Sequence, residues 1–204
     1  MNVLIEGLPK TVKVNGSLFS IKTDFFIGLI FTELMTDRNI DSYEKVIRAI
    51  NLWYVEKPPM ETYDEIKAAF DSIMWFYTMG ENEETTGGQS SSRPRIKERN
   101  IRILDYEADQ SYIVSAFQQQ YGIDLTVENI HWWRFKMLFN GLTDKTKMVK
   151  IMQYRSMEID PKMPEKQRKF YQDMKLLYAL PDRRTEEEKE RDFQEQLNIA
   201  LGGG

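Results

Sequence analysis

Side chains suited to catalysis or metal binding are few in this chain of 204 residues, which has no cysteine and a single histidine, His131. The lack of cysteine excludes disulfides, thiolate metal sites and cysteine nucleophiles. Glu128 and His131 have the Glu-x-x-His spacing that places two metal ligands on one helix face in ferritin-like di-iron proteins. Those sites need a second such motif and further glutamates. We therefore expect no metal, and we interpret His131 as a helix residue whose ring nitrogens bond locally.

Two carboxylates, Asp105 and Asp109, lie one helical turn apart, a spacing that can serve general acid–base chemistry. We interpret Asp105 instead as a helix N-cap and Asp109 as a first-turn charge that complements the helix dipole. The chain also lacks a glycine-rich phosphate loop, a Gly-x-Ser-x-Gly elbow and a His-Glu-x-x-His motif. We expect neither enzymatic activity nor a cofactor.

The composition is that of a soluble globular protein, with 41% hydrophobic and 29% charged residues. The longest apolar run, around residues 25–31, is too short to span a bilayer. The first residues have neither a basic start nor a small-residue cleavage site, so no secretory signal is expected. A net charge of −4 makes nucleic acid an unlikely partner. These features favour a cytoplasmic protein with no membrane association.

The elements that position these residues are mainly helical. Asn15-Gly16 lies between two alternating segments and predicts a tight hairpin turn. Apolar periodicity and capping residues then predict a series of helices, two of which begin at Asp41 and Thr62. Helices are predicted over 24–37, 41–57, 62–80, 105–121, 126–141, 145–156, 165–180 and 186–201. The predicted fold is a mainly α multi-helix bundle with a small N-terminal β-hairpin.

The predicted organisation has three parts: a β-hairpin and three-helix block (1–80), a linker (81–100) and a C-terminal helical block with a charged terminal helix (101–204). The two blocks are expected to share one core. Glu81–Ser92 has no apolar side chain to bury, so we expect it to be flexible. A basic run follows, made of Arg93, Arg95, Lys97, Arg99 and Arg102. It is either a solvated hinge or a docking strip for an acidic partner or nucleic acid.

The aromatic and methionine content is high, with four tryptophans, ten tyrosines and eleven methionines. Adjacent helix residues point about 100° apart, so Trp132 and Trp133 are not expected to face one core together. The surplus indicates either a thick core between helical layers or an exposed apolar surface for a partner or for self-association. The candidate partner-binding residues are Phe25, Phe26, Phe31, Trp75, Trp132, Trp133 and Phe139.

The second half of the chain resembles a known family in an ordered series of residues: Asp105-Tyr106, Asp109, Ile113, Phe117, Tyr121-Gly-Ile-Asp-Leu125, His131-Trp132, Phe135, Leu138, Gly141-Leu142, Lys150-Ile-Met152 and Tyr154-Arg155. This pattern is similar to the bacteriophage "gene product fifteen" family of siphophages that infect Gram-positive bacteria. The similarity is densest from residue 105 to residue 155.

The resemblance implies a tail assembly chaperone that coats the long tape measure protein before the tail tube polymerises. It also implies action in the host cytoplasm, absence from the mature virion and no enzymatic residues. Further expected partners are a frameshifted long form of the chain itself and other copies in a homo-oligomer. The competing interpretation is a structural virion protein, such as a tail-completion or connector subunit. A small enzyme and a DNA-binding regulator that uses the basic run are weaker alternatives.

Overall fold

The computed structural model describes residues 2–80, 102–182, 190–191 and 193–194. The predicted linker, the basic residues 93–99 and most of the predicted terminal helix lie outside these ranges. Within them the chain forms eight helices and one two-stranded antiparallel sheet, which confirms the mainly α class with a small N-terminal hairpin. None of the helices in the described ranges is long and apolar enough to cross a membrane.

The hairpin has the turn that its sequence predicts. Strands β1 (Thr11–Val14) and β2 (Ser17–Ser20) pair antiparallel around Asn15 and Gly16, whose φ angles are 47° and 89°. Positive φ at both central residues is the geometry of a type I′ turn, which matches the twist of the two strands. The hairpin is supported further by an isolated bridge between Ile21 and Tyr54.

The N-terminal helices are α1 (Val3–Glu6), α2 (Phe25–Thr36), α3 (Ser42–Trp53) and α4 (Tyr63–Tyr77). Asp41 caps α3, and Thr62 with Glu65 forms the predicted capping box of α4. At the other end of α4 the amide of Gly80 donates to the carbonyl of Trp75. Gly80, with a φ of 79°, thus closes the helix, and the preceding residue, Met79, also has a positive φ of 62°.

The later helices are α5 (Gln110–Tyr121), α6 (Trp132–Asn140), α7 (Lys147–Ser156) and α8 (Glu165–Leu177). The prediction that Thr126 begins a helix is wrong. Both the amide and the hydroxyl of Thr126 donate to Oδ1 of Asp124, at 2.9 and 2.6 Å. This side-chain turn satisfies local polar groups without a helix, so α6 begins only at Trp132.

Two compact units are distinguished by their internal contacts. Unit 1 comprises Met1–Arg99 and Ser111–Lys150, and unit 2 comprises Asn100–Gln110 and Ile151–Gly204. The predicted division of the chain into parts 1–80, 81–100 and 101–204 was based on composition, whereas these units are based on contacts. The predicted division stays a prediction. The core of unit 1 is strongly aromatic, and its largest fully buried side chains include Trp53, Trp132, Phe31, Phe76, Phe117 and Phe135.

Candidate partner-binding surfaces

Five of the seven candidate partner-binding residues lie in the core of unit 1. The buried residues are Phe25, Phe31, Trp132, Trp133 and Phe139. Trp75 is partly buried, and Phe26 is exposed over 43% of its surface. Burial removes the five side chains from any accessible surface of this conformation. Whether any of the seven contacts a partner stays a prediction, and Phe26 and Trp75 are the members that solvent can reach.

The expectation that Trp132 and Trp133 would not share a core is wrong, because α6 has a helix on each of two sides. Trp132 packs against α2, where Gly28 leaves room for the indole ring. Trp133 packs against α4, with its ring centroid 5.7 Å from that of Phe76 and 5.6 Å from that of Trp75. Two side chains about 100° apart can therefore both be buried when each meets a different neighbour.

Hydrogen bonds fix both indoles in this core. The indole nitrogen of Trp132 donates to the carbonyl of Tyr77 at 3.0 Å, and that of Trp133 donates to the carbonyl of Phe76 at 2.7 Å. These carbonyls belong to the last turn of α4, whose final carbonyl groups have no partner within the helix. Burial raises the pKa of the nearby Tyr77, whose hydroxyl bonds to that of Thr32. The tryptophans thus stabilise a helix end as well as fill space.

His131 is the N-cap of α6 instead of a residue within a helix. Its Nδ1 accepts a hydrogen bond from the amide of Trp133 at 3.1 Å, and its Nε2 lies 2.8 Å from the carbonyl of Pro9. The ring therefore fits the neutral tautomer that carries its proton on Nε2. Burial lowers the pKa of His131, which keeps this tautomer neutral.

Glu128 does not share a helix with His131, because its carboxylate accepts the amide of Asp124 in the preceding turn. Among the described residues, no group of three or more histidines and carboxylates is arranged to hold a metal ion. The Glu-x-x-His spacing in this chain is therefore part of a turn followed by a helix cap, and it does not place two ligands on one face.

The interpretations of Asp105 as a helix N-cap and of Asp109 as a first-turn charge are wrong, because α5 begins only at Gln110 and Asp105 caps the turn before it. Oδ1 of Asp105 accepts the amides of Glu107 and Ala108, both at 3.0 Å. Asp109 is fully buried and receives two hydrogen bonds from Arg155, at 2.6 and 2.8 Å. Such a bidentate pair orients both groups and neutralises their buried charges.

The same guanidinium connects three segments of unit 2. Arg155 also donates to the carbonyl of Ile103 at 3.0 Å and to that of Tyr178 at 2.7 Å. Sequence reasoning missed this arrangement, although Asp109 and Arg155 both belong to the series of residues that carries the family resemblance. All three guanidinium nitrogens of Arg155 donate hydrogen bonds to other groups of the chain. These contacts indicate that the pair has a structural role.

Three segments that carry exposed apolar side chains are linked near the N-terminal end of α2. Asp24, the N-cap of α2, pairs with His131 in an isolated bridge and bonds to the side chain of Asn129. His131 in turn bonds to the carbonyl of Pro9, in the segment that follows α1. Asn129 belongs to the turn before α6. We call the exposed apolar residues of these three segments the α2 surface: Leu4 (97% exposed), Ile5 (81%), Phe26 (43%), Ile30 (44%) and Val127 (80%).

A second exposed apolar face belongs to α8 in unit 2. None of the thirteen residues of this helix is buried. The rings of Phe170 and Tyr171 contact that of Tyr154, with centroids 6.3 and 6.4 Å away, and Nζ of Lys175 donates to the carbonyl of Met157 at 2.6 Å. Phe170 and Leu177, which are seven residues apart and hence on one face, are 48% and 65% exposed. The rest of each side chain is covered by the protein, so this face is partly packed and partly open to solvent.

These observations define a mainly α-helical protein with an aromatic core and two exposed apolar helix faces. The chain belongs to the bacteriophage Gp15 protein family, whose model matches residues 4–180. The match confirms the resemblance seen in the sequence and extends it to the N-terminal helices. Membership implies a phage structural or virion-associated protein, and the family is not known as an enzymatic one. Comparisons with curated proteins and with solved structures found no match.

Proposed function

We propose that this protein is a non-enzymatic tail assembly chaperone that binds and solubilises the tape measure protein in the host cytoplasm. The observation that carries the proposal is the α2 surface, where five large apolar side chains are exposed on α1, on α2 and in the turn before α6. Membership in a bacteriophage family supports it further. Exposed apolar side chains that lie together typically mark a surface that binds another molecule.

The chemistry of the client explains why an apolar surface suits this task. A long helical client displays apolar stripes along its length, and these aggregate unless another surface covers them. A single small apolar contact is weak, but several copies bound along one client gain affinity through their high effective concentration. The α2 surface would thus bind successive helical segments without the need for a deep pocket.

Co-expression with a helical fragment of the tape measure protein tests the proposal. The chain is expected to keep the fragment soluble and to co-purify with it. The double variant L4D/I30D should lose this effect, because two carboxylates on the α2 surface would have to be desolvated on binding. Y63D is the matched control, since Tyr63 is 78% exposed at the start of α4, where an added acidic residue suits the helix dipole.

Two outcomes would contradict the proposal: failure of the wild-type chain to solubilise the fragment, and equal loss of binding in L4D/I30D and Y63D. Circular dichroism of each variant establishes that it folds. The alternative, a structural virion protein such as a tail-completion or connector subunit, has the family-level implication in its favour. Mass spectrometry of purified particles separates the two, since a chaperone is expected to be absent from the virion and a subunit to be present.

A further inference from the structure

We infer that the outer face of α8 is a self-association site on which the α8 helix of a second copy packs antiparallel about a two-fold axis. The outer face is defined here by Lys166, Phe170, Asp173 and Leu177, which follow one another at spacings of four, three and four residues. Such spacings place all four side chains on one side of a helix. This inference does not rest on the proposed function.

Charge complementarity identifies a second copy as the occupant. A two-fold interface brings the same face from each partner together, so the face must complement itself. Lys166 lies four residues before Phe170, and Asp173 lies three residues after it. When two such helices run antiparallel with Phe170 opposite its own mate, Lys166 of each copy comes next to Asp173 of the other. Two equivalent ion pairs then flank a central pair of phenyl rings.

The exposure of these side chains agrees with an interface that the single chain leaves open. Lys166 and Asp173 are exposed, and neither forms an ion pair within the described residues. Phe170 and Leu177 are about half exposed or more, at 48% and 65%. The same antiparallel arrangement places Leu177 opposite Met163, which is partly exposed just before the helix. Apolar groups thus meet apolar groups, and opposite charges meet each other.

The contact also has a size that suits reversible assembly. A helix of thirteen residues is about 20 Å long, so a single pair of helices buries less than a standard protein interface. We expect a dimer that dissociates on dilution and forms at high local concentration. Because the two-fold axis repeats each contact, a single substitution changes two contacts in every dimer.

Charge reversal tests the inference in the full chain by sedimentation equilibrium over a wide range of concentrations. The variants K166D and D173K should each weaken the dimer about tenfold or more, because each creates two like-charge contacts. The double variant K166D/D173K should restore it, because the exchanged charges face each other again. Lys166 and Asp173 lie two helical turns apart within one chain, so rescue reports a contact between copies.

Cross-linking gives a second measurement, since the natural chain contains no cysteine. A two-fold contact centred on Phe170 predicts that F170C forms a disulfide-linked dimer under mild oxidation, because the two sulfur atoms approach each other. The control Y63C, on unit 1, should remain monomeric. A wild-type chain that is monomeric at all concentrations, a double variant that stays as weak as the single variants, or equal cross-linking of F170C and Y63C would each overturn the inference.

Discussion

The substitution G28A tests whether the close approach of α2 and α6 organises the core of unit 1. A Cβ atom at Gly28 would lie 2.6 Å from Cζ3 of Trp132 and closer still to two other atoms of the indole ring. Carbon atoms in favourable contact are about 3.5–4.0 Å apart, so the ring would have to move by about 1 Å. The site cannot accept a side chain without a shift of one helix or the other.

The ring has little freedom to make that shift. Trp132 is fully buried, its nitrogen is bonded to the carbonyl of Tyr77, and it stacks on the rings of Tyr77 and Phe135 at centroid distances of 5.3 and 5.7 Å. Overpacking a core costs about 1–3 kcal/mol, and breaking a buried hydrogen bond adds about 1–3 kcal/mol. The better helix propensity of alanine offsets about 1 kcal/mol of this loss of stability. The expected net loss is about 3 kcal/mol.

Thermal unfolding followed by circular dichroism measures this loss, which corresponds to a fall in Tm of about 10 °C for a unit of this size. G122A is the control, because Gly122 has a φ of 69° but no atom within 4 Å of an added Cβ. It should cost only about 1 kcal/mol, from the backbone alone. In a W132L background the cost of G28A should largely vanish. An unchanged or raised Tm for G28A, or an equal cost in both backgrounds, would refute the reasoning.

Further substitutions probe other polar contacts of the protein. Within the part of the chain that the structure describes, the indole nitrogen of Trp53 is buried without a hydrogen-bond partner, whereas that of Trp133 donates to the carbonyl of Phe76. W53F should therefore destabilise the chain by about 1 kcal/mol less than W133F in urea unfolding, and the reverse order would contradict the assignment. D109N should destabilise unit 2 by about 3–5 kcal/mol, since it leaves the Arg155 guanidinium buried opposite a neutral group. D71N, which breaks the exposed Lys67–Asp71 pair, should cost under about 1 kcal/mol in the same urea assay. Burial lowers the pKa of His131 below its ordinary value of 6.5. The unfolded chain then takes up a proton that the folded chain does not, so stability is present above about pH 6.5 and is lost as the pH falls through and below that value. H131N keeps a capping oxygen but cannot titrate in this range, and its free energy of unfolding should fall less over this interval; parallel curves for the two proteins would exclude the effect.

Features that depend on a few neighbouring residues could be predicted from the sequence. Asn15-Gly16 specified the hairpin turn, because both residues tolerate positive φ. Thr62 and Glu65 specified the start of α4, because each side chain satisfies an amide of the first turn. The mainly α class follows from many such local signals added along the chain. The family, too, was recognisable from the order and spacing of residues alone.

Features that depend on what lies opposite a side chain could not be predicted in this way. Trp132 and Trp133 are both buried because α6 has α2 on one side and α4 on the other, and no local pattern contains that information. Asp109 is paired with a residue 46 positions away. The helix predicted to begin at Thr126 does not form there, because the amide and hydroxyl of Thr126 bond to Asp124 in a turn instead.

The sequence by itself determined the type and order of most elements, the absence of cysteine chemistry and the identity of the apolar residues available for burial. Only the tertiary structure decided which of those residues are buried in the core and which remain exposed to solvent. Periodicity marks a side chain as apolar, but the hydrophobic effect acts on the area removed from solvent, and that area depends on neighbours from distant parts of the chain. Thus Phe31 and Trp132 are sealed inside unit 1, while Phe26, Ile30 and Phe170, which are just as apolar, remain available to a second molecule.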